Sequence, residues 1–203
     1  MKHLIWGVLA ACISTSAFGQ VSEIRAGIGA HDIRVIGSFP VREESVVVNA
    51  EIIFDKPEFL KWALSPQSYI NGSLNLGGST SYAGAGLLWR QNLGKRFYGD
   101  FGFGLVVHNG TLDVFDEADD IFMADLETAE DFNAAFDELF FRRNNNIEYG
   151  SRILFREQLT LGYKIDEKWA FEGYFEHISH GGLLSDRSND GSDAAGLRIK
   201  YGF

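Results

Sequence analysis

Near its end the chain reads HISHGG, from His177 to Gly182, and Asp193 opens the last stretch of alternating sequence. A serine hydroxyl becomes a nucleophile when a neighbouring base removes its proton. An imidazole serves as that base when a carboxylate fixes its tautomer and stabilises its cation. His177, Ser179 and Asp193 are therefore the residue types of acyl transfer through a covalent intermediate. One residue separates His177 from Ser179, so on a strand both side chains project from the same face. Asp193 can join them from an adjacent antiparallel strand if the loop between returns in register; Asp190 and Asp186 are the next acids available. The plain alternative is a set of polar rim residues in the interfacial zone of a membrane, where all three types are ordinary.

The elements that must position these residues show a period of two. Lys168–Ser179 places Trp169, Phe171 and Phe175 on odd positions and Glu172, Tyr174 and Glu176 on even ones. Asp193–Phe203 sets Ala195, Leu197, Ile199, Tyr201 and Phe203 against Gly196, Arg198 and Lys200. The odd face is apolar, yet His177, Ser179 and Asp193 are all odd. Polar groups on a greasy face are costly unless something there uses them. Six earlier segments alternate in the same way: Ser22–Ala30, Ser45–Phe54, Tyr69–Gly77, Ser81–Arg90, Phe97–Val107 and Ser151–Lys164.

Alternation alone also suits a soluble sandwich. Three features point instead to a membrane. The segments run to about 9–14 residues, the length of tilted membrane strands. Their polar faces mix glycine with both charge signs, as in Arg152, Arg156, Glu172, Glu176, Arg198 and Lys200. The chain ends on Tyr201-Gly202-Phe203, which resembles the terminal aromatic of outer-membrane barrels. The expectation is an all-β fold, an eight-stranded antiparallel transmembrane β-barrel with a packed interior. Connections 30–44, 78–80, 108–148 and 180–192 then lie outside, and 55–68, 91–96 and 165–167 in the periplasm. Between Pro57 and Pro66 the long 55–68 connection is expected to hold a helical turn.

The start, MKHLIWGVLAACISTSAFGQ, has a basic opening, an apolar run and the small-x-small site Ala17-Phe18-Gly19, which predicts a signal peptide over residues 1–19. Leu9-Ala10-Ala11-Cys12 leaves a lipoprotein signal as the alternative. Residues 20–203 then form one barrel domain, without cysteine, since Cys12 is the only one. Eighteen basic residues against 28 acidic ones exclude the basic footprint of a nucleic-acid binder. Within the outer loop near 108–148, Asp113–Glu138 holds eleven acidic residues and no Lys or Arg. Phe122, Leu126, Ala129, Phe136 and Leu139 recur there at helical spacing, so part of it is expected to be an amphipathic helix. A solvated acidic loop, a divalent-ion site and a lid beside the membrane are the three readings of this segment.

The C-terminal motifs resemble those of the lipid A 3-O-deacylase family (PagL), outer-membrane esterases with a His-x-Ser-Asn-x-Gly motif, an asparagine-containing loop and an acid on the next strand. HISHGG supplies His177, Ser179 and Gly182; SND supplies Asn189; Asp193 stands where the family has its acid. FGFGLVVHNGT, from Phe101 to Thr111, and the strand Phe155–Ile165 are similar more loosely. The resemblance implies a serine esterase removing the 3-O-linked 3-hydroxyacyl chain from lipid A. Ser179 would be its nucleophile, His177 its base and Asp193 its acid, with His180, Gly182 and Asn189 around the oxyanion. It implies no metal or cofactor, and lipopolysaccharide of the outer leaflet as partner, in the outer membrane of a Gram-negative cell; a homodimer stays open. Two positions depart from the family pattern. His180 replaces the asparagine after the serine, and Asp193 is one methylene shorter than the usual glutamate. A non-catalytic structural or adhesion barrel, and a lipid A-modifying barrel of different chemistry, are the alternatives.

Overall fold

Period-two sequence builds a sheet with one face toward an interior and the other toward its surroundings, and here that sheet closes on itself. The computed structural model describes residues 19–36, 41–118, 121 and 127–203. The expected signal peptide falls outside these residues except for Gly19, as do Phe122 and Leu126. The strands are β1 (Val21–His31), β2 (Ser45–Phe54), β3 (Gln67–Asn75), β4 (Tyr82–Leu93), β5 (Phe97–His108), β6 (Ile153–Lys164), β7 (Trp169–Ser179) and β8 (Ser192–Gly202). Each pairs antiparallel with its chain neighbours, and β8 pairs with β1 to complete the barrel.

The segments expected from parity are these strands, with one clear displacement. β3 begins at Gln67 and ends at Asn75, two residues early at both ends. Gln67 Nε2 ties its start to Ser22 Oγ and the Phe54 carbonyl. Asn75 Oδ1 accepts from the Gly77 amide, turning Gly77 out of the strand. The connection after β2 holds a single 3-10 helix, Glu58–Ala63, as its flanking prolines suggest.

Even positions of β7 and β8 face the interior, which holds a network of opposite charges. Arg25, Arg90, Arg156, Arg198 and Lys200 meet Glu23, Glu51, Asp100, Glu172 and Glu176. Arg156 lies 2.7 Å from Glu51, and Arg198 lies 2.7 Å from Glu172, with all four side chains inaccessible. Opposite charges balance, so each desolvated ion has a partner. Arg152, expected among them, stands outside. It precedes the first residue of β6, above the rim, and binds the Gly110 carbonyl and Glu117.

The outer wall is a belt of exposed hydrocarbon. Ile28 is 62% exposed and Leu74 58%, with Val48, Phe101, Leu105, Leu159, Leu161, Phe171, Leu197 and Ile199 continuing the band. A wall of this composition is stable against lipid acyl chains, which need no hydrogen bonds from it.

Long connections gather at the end where β7 stops and β8 starts. The acidic connection forms helix α1 (Ala129–Asn145), whose Thr128 N-cap and Asp131 make a capping box. Leu139 packs with Val114, Ala118 and Ile121, whereas Phe136, expected on the buried face, is exposed together with Phe132, Phe140 and Phe141. No three potential metal ligands gather among the described residues.

Candidate active site

β7 and β8 run side by side in a register that sets His177 opposite Asp193. The two side chains meet: His177 Nδ1 lies 2.7 Å from Asp193 Oδ1. With Asp193 ionised, Nδ1 carries the proton and donates it to this bond. Nε2 is then the free basic nitrogen. Ser179 follows on the same outward face, one step nearer the rim. No hydrogen bond joins Ser179 to His177 among the described residues, a looseness common in unliganded sites that tighten around substrate.

Asp193 occupies an outward position yet is only 1% exposed, because the β1–β2 connection is folded over it. Val35 N–H and Ile36 N–H both donate to Oδ2, and Ile33 N–H donates to the Asp193 carbonyl. Asp32 and Arg34 adopt left-handed φ of 57° and 49°, turning the intervening amides toward this one residue. Such a run of convergent N–H groups makes an anion-holding concavity. The connection is itself anchored. Asp32 Oδ2 accepts from the Arg42 and Glu43 amides, and the Arg42 guanidinium binds Asp190 and the Asn146 carbonyl. Asp190, one of the other acids near His177 in sequence, is thereby committed to Arg42.

Glu43 joins three outer connections. Its carboxylate accepts from Thr80 N–H at 3.0 Å and Ile147 N–H at 3.0 Å, with His31 Nε2 at 3.5 Å. Burial pushes this carboxyl up, but the adjacent His31 ring and the hydrogen bonds from Ile147 and Thr80 outweigh it and hold it below its ordinary value.

The support residues come together, but around the loop rather than around Ser179. His180 N–H donates to Asn189 Oδ1 at 3.0 Å, and Gly182 N–H donates to His180 Nδ1 at 3.2 Å. His180 Nε2, which must then carry the ring proton, reaches the Ser188 carbonyl at 3.2 Å. The His180 ring is 1% exposed and is not the oxyanion donor expected from its place after the serine. Parity is the reason, since residue 180 turns to the opposite face from 177 and 179. His180, Asn189 and Gly182 brace the β7–β8 connection in this geometry. Gly181 and Gly182 are the two centres of its first turn, closed by Leu183 N–H on the His180 carbonyl, with φ of 60° and 70°. Two successive positive φ values call for glycine.

Two further residues belong to the site although no motif marks them. Gly191 lets the returning chain press against it. A Cβ there would stand 3.1 Å from His177 Cε1 and 3.2 Å from Ser179 Cβ. Glu157 on β6 is the cross-strand neighbour of His177 on the side away from Asp193. It sits on the outward face between Phe155 and Leu159, so its signal is the same parity violation that marks His177.

The profile of the lipid A 3-O-deacylase (PagL) family matches residues 57–202. No curated protein matches the chain in sequence. Among solved structures, that of the outer membrane enzyme PagL superposes with a TM-score of 0.56 at 13% identity, covering 90% of this chain and 100% of that one. Neisserial surface protein A superposes with a TM-score of 0.51 at 7% identity, covering 89% and 96%. At such identities the two structures share the fold with this chain.

Proposed function

The chain belongs to the lipid A 3-O-deacylase (PagL) family, and we propose that it is an outer-membrane serine esterase. Its substrate is the 3-O-linked 3-hydroxyacyl chain of lipid A in the outer leaflet. The observation that carries this reading is the 2.7 Å His177–Asp193 pair beside Ser179 on the lipid-facing wall. A polar constellation is expensive there and gains its use from a substrate whose ester lies at the membrane surface.

Ser179 Oγ attacks the ester carbonyl while His177 Nε2 takes its proton. Asp193 fixes the imidazole tautomer and steadies the cation. Collapse of the tetrahedral intermediate breaks the acyl–oxygen bond, and His177 returns the proton to the departing sugar oxygen. A water, deprotonated by His177, then attacks the acyl-enzyme, releasing the 3-hydroxy fatty acid and free Ser179. The Gly181 amide makes no hydrogen bond among the described residues and is a donor free to serve the oxyanion. The chemistry requires no cofactor, and since one hairpin supplies all three residues it requires no second copy of the chain.

The test is release of 3-hydroxy fatty acid from purified lipopolysaccharide, followed by mass spectrometry. Ser179→Ala should abolish release while the barrel keeps its heat-modifiable migration on gels. Wild-type release by the Ser179→Ala variant would refute the assignment.

A further inference from the structure

On a wall that is mostly hydrocarbon, Glu157 is a carboxylate that pairs with no lysine or arginine among the described residues. Its outward neighbours on β6 are Phe155 and Leu159, and the apolar belt continues through Leu161. Its Oε2 is buried and makes no hydrogen bond among the described residues. The interior carboxylates Glu51, Glu172 and Glu176 each hold an arginine, but Glu157 faces away from that network. Lipid-facing acids are destabilising and are kept where a ligand or a reaction uses them.

Register says what it faces. Glu157 is opposite His177, and Phe155 is opposite Ser179. Seen from the outer rim, Ser179 comes first and the Glu157–His177 level lies one alternation deeper, about 6–7 Å along the strand. An acyl ester bound at Ser179 keeps its sugar at the membrane surface and sends its chain toward the bilayer centre. The hydroxyl of a 3-hydroxyacyl chain is borne two carbons below the reacting carbonyl. It therefore projects from Ser179 toward the level of His177 and Glu157, where an apolar wall would leave it unsatisfied.

We propose that Glu157 is a specificity-determining residue that hydrogen-bonds the 3-hydroxyl of the acyl chain being removed. The proposal rests on the deacylase reading and adds the basis of its acyl selectivity. A site built to bond a hydroxyl discriminates through the group left unpaired when that hydroxyl is missing. Glu157 does not replace Asp193, which holds the other side of His177.

The experiment uses the full-length barrel folded in detergent micelles and two synthetic glucosamine monosaccharides, one carrying a 3-O-(3-hydroxymyristoyl) ester and the other a 3-O-myristoyl ester. Wild type should prefer the hydroxylated ester in kcat/KM by about tenfold or more, the yield of one hydrogen bond to a charged group. Glu157→Leu, which matches the surrounding wall and leaves folding unharmed, should lose that preference by slowing the hydroxylated ester alone. Glu157→Gln should keep part of the preference, because its amide still bonds a hydroxyl. An equal slowing of both esters would make Glu157 a support of His177 and overturn the proposal. Unchanged selectivity in Glu157→Leu would overturn it too. If wild type cleaves neither ester, the deacylase reading itself fails and the proposal falls with it.

Discussion

Replacing Asp193 by asparagine tests the acid while changing its volume little. The carboxylate accepts three hydrogen bonds: one from His177 on Oδ1, and two from the Val35 and Ile36 amides on Oδ2. Asparagine has one acceptor oxygen, and all three partners are donors. If that oxygen stays with the two amides, the new NH2 group faces His177 Nδ1 and forces the proton onto Nε2. The base is then blocked at the nitrogen that must take the Ser179 proton. If the amide flips, two backbone N–H groups face NH2 and the 33–36 connection is pushed away. The first arrangement keeps more hydrogen bonds, so the wrong tautomer dominates. In serine proteases the equivalent exchange costs about 10⁴ in kcat, or about 5–6 kcal/mol of transition-state stabilisation. Asp193→Asn should accordingly reduce 3-hydroxy fatty acid release by about three to four orders of magnitude with unchanged heat-modifiability. Asp193→Glu, although it restores the longer arm usual in the family, should also be slower than wild type. The connection has closed over the shorter acid, leaving it 1% exposed, with no room for another methylene. An Asn variant within tenfold of wild type would refute the pairing as the source of activity.

The barrel interior and the outer connections give two further expectations. Arg156→Leu removes the ion-pair partner of Glu176, leaving it the hydroxyl of Tyr82, and one partner of Glu51, so it should cost about 3–5 kcal/mol, read from the urea midpoint of the barrel folded in lipid vesicles. Glu43, held below its ordinary value in the folded state, stabilises the outer connections above its unfolded pKa of about 4.3, and that stabilisation is lost as pH falls through the lower folded value. Protection of the Thr80 and Ile147 amides in hydrogen exchange, corrected for intrinsic rates, should therefore fall on acidification below about pH 4. Glu43→Gln should show the weaker protection already at pH 7, without the acid step.

How far sequence carries toward this site depends on whether a residue leaves a mark in its own periodicity. The strands do, because burying a charge network inside and hydrocarbon outside forces strict alternation. The positions of His177, Ser179 and Asp193 follow from odd numbering alone, and the β7–β8 register brings the first and last of them into contact. Alternation does not fix where a strand starts. β3 slides by two because Gln67 and Asn75 make end bonds that respect the same parity. Arg152 obeys parity too, yet lies beyond the paired stretch, so its charge belongs to the outer rim. His180 shows the reverse: its motif position suggests an oxyanion role, while its even number turns the ring into the loop. The 33–36 clamp is illegible for a different reason. Its donors are backbone amides, which every non-proline residue possesses, and their convergence depends on left-handed φ at Asp32 and Arg34, two residues without the glycine that would announce it. Glu157 is legible by the rule that singles out His177, a charge between Phe155 and Leu159 on the lipid-facing set. In a wall that must be apolar, each polar exception calls for a use. The exceptions His177, Ser179, Asp193 and Glu157 fall on three adjacent strands at one rim, where a lipid ester can meet Ser179, His177 and Glu157 while the buried Asp193 acts through His177.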